Sequence, residues 1–575
     1  MKTRSLSILS LSVAIAAAPL VAPAQQTPSP LPPAASVPTP APSPIIPVVP
    51  TVAPGYRASN ERPASASVVG VTQQPFVGIA LNDAIGMALS RNPDLAISAS
   101  NTRIGGYQIQ AAKGAYDVKF FVNPSINHSN NAPENAFFSG PNFGPIVGNN
   151  LAVAAGVSGQ LASGTQYNIN LTQTSIQNNT IINAFNPYYT ASLNATVTQP
   201  LLRNFGPGNE TRRQIELAFI SEAGTTAQTL STVSTTLAAV ENAYWDLVAG
   251  WRNVAIQEDA LHSAISQQHS NVRSARQGQS APIDAVQSQT QVSTYQNNVF
   301  AALQNVSALQ NQLKSLILDD PGDPIWRANL MPTTSFEQTP PEPSLEGILA
   351  TAMQHRPELA QAAAQRQQAA INLAYAKNQR LPQVDLQLQY QGNGLAGTAL
   401  PPLGGALGNA TPPPYLDGKT GTAYGNIGRF PTYTAGVLIS TPIGNNTAKA
   451  DYAVAKEQQR IANITTANTD QRIAFDVRNA LQDYESAQDR LYAARQAREA
   501  QQQVYASEIR KFRNGESTTF LVNQQQITLV QTEGTELQAQ TDFDKAVVEL
   551  SRSDGTILSA NNVNVQTLGE GALKP

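Results

Sequence analysis

The chain has 575 residues, of which 13% are charged, a formal net charge of −3 and no cysteine. That balance argues against nucleic acid as a partner, which calls for a clustered basic surface, and the absence of thiols fits an oxidising compartment. No stretch beyond the first two dozen residues reaches the ~18 consecutive apolar residues of a membrane helix, so any crossing of a bilayer falls to strands.

Lys2 and Arg4 precede an apolar run from Leu6 to about Val21, and Ala22-Pro23-Ala24 is a small-x-small cleavage site. Residues 1–24 therefore read as an export signal, with Gln25 as the mature start. Taking two basic residues from 36 leaves 34 against 39 acidic ones, a mature net charge of −5. Residues 25–67 are rich in Pro, Ala, Ser and Thr, a composition that buries too little surface to order itself, and they read as an extended tether.

Leu81-Asn82-Asp83-Ala84-Ile85 opens an amphipathic helix, and Pro93 starts a second helical stretch as a good first-turn residue. The periodicity then changes from helical to alternating. Val118, Phe120 and Val122 mark a strand, Asn130 to Asn150 a Gly/Asn/Pro-rich loop, and Tyr189 to Gln199 a returning strand that closes on Pro200-Leu201-Leu202. An extra alternating segment, Val153 to Thr174, reads as a hairpin within or above that loop. From about Glu210 a continuous helix of roughly 100 Å reaches Arg276. A tight turn follows at Gly278, and a second helix returns with Val292, Val299, Val306 and Leu313 in one row and Tyr295, Ala302, Leu309 and Leu316 in the next, a coiled-coil seam.

The same order then recurs. Leu345-Glu346-Gly347-Ile348 repeats Leu81-Asn82-Asp83-Ala84 at a shift of 264. Val384, Leu386, Leu388 and Tyr390 alternate with polar residues, Gly392 to Pro431 is a loop, and Tyr433 to Thr441 returns. Val477-Arg478-Asn479-Ala480 matches Val240-Glu241-Asn242-Ala243, and Arg513-Asn514-Gly515 matches Arg276-Gln277-Gly278, both at a shift of 237. The chain divides into a first repeat (68–330), a second (331–560) and a C-terminal tail (561–575). Four strands among helices form an open sheet whose apolar face nothing in the chain covers, and closing it requires other copies.

This pattern resembles the outer membrane efflux protein family, the TolC-like trimeric channel-tunnels. The resemblance rests on Ala88-Leu89-Ser90-Arg91-Asn92-Pro93 with its partner Ala352-Met353-Gln354-His355-Arg356-Pro357, on Gln199-Pro200-Leu201-Leu202, and on the paired turns Arg276-x-Gly278 and Arg513-x-Gly515. It implies a membrane α+β fold: a homotrimer with a 12-stranded outer-membrane β-barrel in lipid, continued by a long antiparallel coiled-coil helical tunnel across the periplasm. It also implies a periplasmic adaptor (membrane fusion) protein and an inner-membrane RND or ABC transporter as partners, passive transport, no enzymatic activity and no cofactor.

The family gates at its periplasmic tip. The aspartate six residues past the first turn glycine is Asp284 here, while the second-repeat places that carry aspartates in some members hold Leu521 and Gln524. A tyrosine and an arginine that tie the closed state find Phe512 and Ser517. The resemblance thus points to a tip of Arg276, Gly278, Asp284, Phe512, Arg513, Gly515, Leu521 and Gln524. Its cation preference should be weaker than that of a full carboxylate ring. Asp284 also reads as a first-turn carboxylate meeting the helix dipole, or as a partner for Arg513.

Other signals fail their context. Gly392-Asn393-Gly394-Leu395-Ala396-Gly397 fits the dinucleotide fingerprint but leads to Pro401-Pro402, not to a helix. His262 and His269 lie two turns apart, too far for one metal, and Asp319 to Asp323 lacks a calcium loop's ligand series. From another functional class, a trimeric coiled-coil adhesin is the alternative.

Overall fold

In a computed structural model the described residues are 76–132, 144–180, 183–334, 344–401, 411–561 and 563. The expected signal, the tether and the tail beyond residue 563 lie outside them. In chain order the elements are β1 (Phe76–Ile79), α1 (Leu81–Arg91), α2 (Pro93–Lys113), β2 (Lys119–Asn131), β3 (Ile146–Gln160), β4 (Gln166–Asn178) and β5 (Phe185–Pro200), then α3 (Glu210–Arg276), α4 (Pro282–Ile317) and β6 (Asn329–Pro332). They continue with α5 (Leu345–His355), α6 (Pro357–Gln379), β7 (Gln383–Ala399), α7 (Thr420–Gly425), β8 (Phe430–Ser440), α8 (Asn446–Arg513), α9 (Thr519–Ser553) and α10 (Ile557–Ala560).

Helices α3 and α8, of 67 and 68 residues, are the rods that the heptads require. Along α8 the buried positions Ile473, Val477, Ala480, Tyr484, Ala487, Leu491 and Ala494 step by four and three, and they pack on α9 through Ala539, Phe543, Ala546 and Leu550. On α3, Val233, Leu237, Val240, Tyr244, Leu247 and Val254 do the same against Val292, Tyr295, Val299, Ala302, Val306 and Leu313 of α4. Left-handed antiparallel packing follows from that spacing. The helices lie side by side in one layer. Nearest the sheet the order is α2-α3-α6-α8, and farther away it is α4-α3-α9-α8.

The tightly folded middle is tied by groups without heptad meaning. Strands β1 and β6 pair in parallel, and Tyr244, fully buried, donates from its hydroxyl to Ile79 O (3.1 Å) while accepting from Thr334 N (3.0 Å). Lys314, 1% exposed, donates to Trp326 O (3.1 Å) and Ala328 O (2.6 Å), and its burial lowers its pKa. Just after α5, Arg356 donates to Ser553 O (3.2 Å) and pairs with Asp476 of α8 (3.3 Å).

The other sheet has six antiparallel strands in the order β2-β3-β4-β5-β7-β8. This corrects the expectation of four wall strands. The segment Val153–Thr174 is neither above the loop nor outside the sheet. It forms most of β3 and β4, hydrogen-bonded to β2 on one side and β5 on the other. A second correction concerns Gly392 to Pro431. Strand β7 runs through to Ala399, and its glycines are small because the following segment folds back on them: a Cβ on Gly394 would sit 1.9 Å from Ala423 O. The G-x-G-x-x-G run is therefore strand, backed by α7, with Ala191, Ala396 and Ala423 buried between them.

Candidate functional site: the strand wall and the helical tip

Strand register decides which side chains share a face. Across the six strands Phe120, Val157, Ile169, Ala195, Tyr390 and Tyr433 stand in one row. The adjacent row, on the opposite face, is Lys119, Ser158, Asn168, Thr196, Gln389 and Thr434. The pattern persists toward the loop end, where Ile126, Leu151, Ser175, Tyr189 and Ala396 align. One face of the sheet is thus apolar and the other is Asn, Gln, Ser and Thr.

Contrary to the expectation that nothing in the chain covers it, the apolar face is overlaid at the loop end of β5 and β7 by α7, which buries Ala191 and Ala396, while its outer strands are bare. Phe120 is 73% exposed, Ile126 83%, Tyr433 76% and Ile439 70%. A contiguous apolar surface of this extent marks a membrane or a protein partner, and rows of opposite polarity on the two faces are the pattern of a strand wall between lipid and a wet lumen. Tyr390 and Tyr433 pack ring to ring at 5.3 Å on this face. Among the described residues no helix is long and apolar enough to cross a membrane.

At the far end of the helices the two tips are built alike. Helix α3 ends with Gly278 at φ +72°, with Gln279 N–H on Ser274 O (2.9 Å) and Gly278 N–H on Ala275 O (3.1 Å). Helix α8 ends with Gly515 at φ +81°, with Glu516 N–H on Lys511 O (2.9 Å) and Gly515 N–H on Phe512 O (3.0 Å). Both are Schellman closures, which need a left-handed residue, hence glycine. The helices that follow start differently. Pro282 occupies the first turn of α4 and Ala281 offers no side-chain cap, whereas the Thr518 hydroxyl caps α9 by accepting from Leu521 N. Asp284 and Leu521 hold the same third position after their caps.

The tip residues are wet. Arg276, Arg513, Leu521 and Gln524 are exposed, and Asp284 and Phe512 are half-buried. Ile283, Val286, Phe520 and Leu521 present an exposed apolar rim around them. The expected Asp284–Arg513 pair is not formed within the chain, because the two residues belong to separate hairpins. Among the described ion pairs none includes Asp284, Arg276 or Arg513. The second tip is instead held by Glu508, which accepts from the Ser517 hydroxyl (2.5 Å) and pairs with Lys511 (3.6 Å). Sequence reasoning missed Glu508. Its nine-residue separation from Ser517 spans the turn, and only the closed hairpin brings the two together.

Midway along the rods lies a second unpredicted feature, a cleft of about 430 Å³ lined by Arg252, Arg495, Arg498, Glu533, Glu536 and Gln540. Arg498 holds Glu536 at 2.7 Å, Arg495 donates to Gln540 (2.6 Å), and Gln540 donates to the buried Asp544 (3.1 Å). Burial pushes the Asp544 carboxyl up to about 6 against the opposing pull of Gln540, Arg252 and Arg495. No cluster of potential metal ligands occurs among the described residues.

The described residues thus combine a two-faced antiparallel sheet with a layer of long rods that end in glycine-closed tips. Residues 348–556 match the family model described as Outer membrane efflux protein. The fold is similar to the CmeC outer membrane channel of Campylobacter jejuni, at 14% identity and a TM-score of 0.60 over 83% of this chain and 85% of that one. It is also similar to the outer membrane protein VceC of Vibrio cholerae (14%, TM-score 0.56, 83% and 96%) and to the open-state MtrE outer membrane channel of Neisseria gonorrhoeae (17%, TM-score 0.55, 83% and 89%). No curated protein matches the sequence. The chain is TolC-like in fold, and its residues 348–556 match the outer membrane efflux protein model.

Proposed function

We propose that this chain is the exit duct of a tripartite efflux or type I secretion system, a homotrimer built on a duplicated protomer. Its strands form a closed barrel in the outer membrane, and its rods form a tunnel ending in a gate. The observation that carries the reading is the apolar face of the sheet, exposed on its outer strands β2 and β8, together with the two unpaired edges that those strands present. Unpaired backbone is not tolerated in lipid, so such a sheet must close on further copies.

The duct does no chemistry. A periplasmic adaptor and an inner-membrane RND or ABC transporter deliver the cargo, and the polar sheet face with the rods below gives it a wet path out. The gate is formed by the two glycine-closed tips, with Asp284 and Arg513 on neighbouring hairpins of the assembled ring, Arg276 and Phe512 flanking the turns, and Leu521 and Gln524 narrowing the aperture. An exposed ion pair contributes only ~0.2–1 kcal/mol, yet three copies around one aperture bias an opening equilibrium.

The test is the mass and planar-bilayer conductance of the detergent-extracted protein. A trimer with small conductance that rises several-fold in Asp284→Ala or Arg513→Ala supports duct and gate together. A monomer without conductance overturns both, and a conducting trimer indifferent to both substitutions overturns the gate.

A further inference from the structure

We infer that three copies of this chain close an eighteen-stranded barrel about as wide as the helical tunnel below it, so that the outer-membrane opening is not a constriction. The inference rests on the trimeric duct proposed above. It goes beyond it by assigning β3 and β4 to the wall and by stating which surfaces of adjacent copies meet.

The hairpin β3–β4 is wall by three observations. Its ladders to β2 and β5 are continuous. Its side chains keep the two-faced rule of its neighbours, with Val153, Ala155, Val157, Ile169 and Leu171 on the apolar face and Ser158, Asn168, Asn170 and Thr172 on the polar one. Its turn is seated on the strand-to-helix junction, where Gly206 N–H donates to Ser163 O (3.2 Å) and the Thr211 hydroxyl bonds Gln160 (3.2 Å). A hairpin lying off the wall would need none of these.

The edges fit a second copy. Six alternating strands put β2 and β8 in opposite directions, so β8 of one copy meets β2 of the next as an antiparallel pair, and every join in the ring is equivalent. The helix layer has matching edges below. Helix α2, which leads into β2, exposes Ile97, Ile104 and Tyr107, and α8, which leads out of β8, exposes Val454, Ile461 and Ile464. Both stripes have the seven-then-three spacing of a coiled-coil seam. At 1.5 Å per residue they lie ~9–24 Å below the sheet end of α2 and ~12–27 Å below that of α8. The two seams are therefore level.

Girth gives the consequence. Strands ~4.8 Å apart and tilted ~40° occupy ~6.3 Å of circumference each. Three copies of six strands make eighteen, a perimeter of ~110 Å, whereas twelve strands would give ~75 Å. The layer below holds four helices per copy at every level, twelve in all, and at 9–10 Å spacing they span ~110–120 Å. The added hairpin brings wall and tunnel to nearly one width.

Because the chain has no cysteine, the double variant Ile97→Cys, Ile461→Cys, at ~24 and ~22.5 Å below the two sheet ends, introduces the only thiols. Oxidation of the full protein in detergent, denaturing gels and an electron cryo-microscopy map of the unmodified protein form one test. A covalent ladder ending at the trimer, with eighteen strands in the map, is the expected result. The same ladder with twelve wall strands and residues 146–178 off the wall overturns this inference and leaves the duct intact. Absence of a covalent trimer together with monomeric particles overturns the duct and the inference with it.

Discussion

Single residues carry more than one kind of constraint here. The tip glycines are required by backbone geometry alone, since nothing lies within 4 Å of a Cβ built on Gly278 or Gly515, whereas Gly394 is required by the backbone that presses on it. Asp544 is constrained by charge. It is 1% exposed, one of its oxygens has no hydrogen-bond partner, and burial raises its pKa to about 6 from an ordinary value of 3.8. A carboxyl that binds its proton more tightly when folded contributes its stability in full below the ordinary carboxylate range and loses it as pH rises through about 6. A shift of this size corresponds to about 2–3 kcal/mol between pH 4 and pH 7. Asp544→Asn stays neutral throughout. Its melting midpoint should exceed the parent's at pH 7 and converge on it near pH 4, and an unchanged gap across that range would refute the assignment.

At the scale of elements, the heptad rows specify which faces of the rods meet, but one polar side chain clamps the rods to the small parallel sheet. Tyr244 joins α3 to both β1, through Ile79 O, and the segment just after β6, through Thr334 N. Tyr244→Phe keeps the ring, removes the acceptor of the part-buried Thr334 amide and leaves Ile79 O with Thr333 N–H (3.0 Å) alone, a loss of about 1 kcal/mol. Thermal unfolding should show a lower midpoint with trimer mass and conductance unchanged. An unaltered midpoint would mean that water or a shifted backbone replaces the hydroxyl.

At the scale of the whole molecule, charge at the aperture follows from the unequal tips. In the proposed trimer three copies supply one ring of Asp284, while Leu521 and Gln524 of the second tip add no carboxylate. A cation-selective filter relies on stacked acidic rings, so reversal potentials in a salt gradient should show a modest cation preference that Leu521→Asp strengthens. Strong selectivity in the parent protein would place the determining charge elsewhere. On the proposed reading width and selectivity reside at opposite ends of the duct, the bore in the strand wall and the charge at the tips.

The order of elements, the heptad seams, the two turn glycines and the change from period 3.6 to period 2 were all legible in the residues, because each is a local rule of backbone and side-chain geometry. So was the polarity of the wall, since alternation alone assigns faces. Three things were not. The place of β3 and β4 needed the ladder, because an alternating hairpin reads the same inside a sheet or beside it. The extent of β7 was hidden by its glycines, which look like loop until the segment that packs on them is in place. The polar ties of Glu508 to Ser517 and of Tyr244 to Ile79 and Thr334 depend on which distant backbone arrives beside them. Local propensity is written in the chain, but register, insertion and long-range hydrogen bonds are decided only when separate segments compete for the same partners in the folded state.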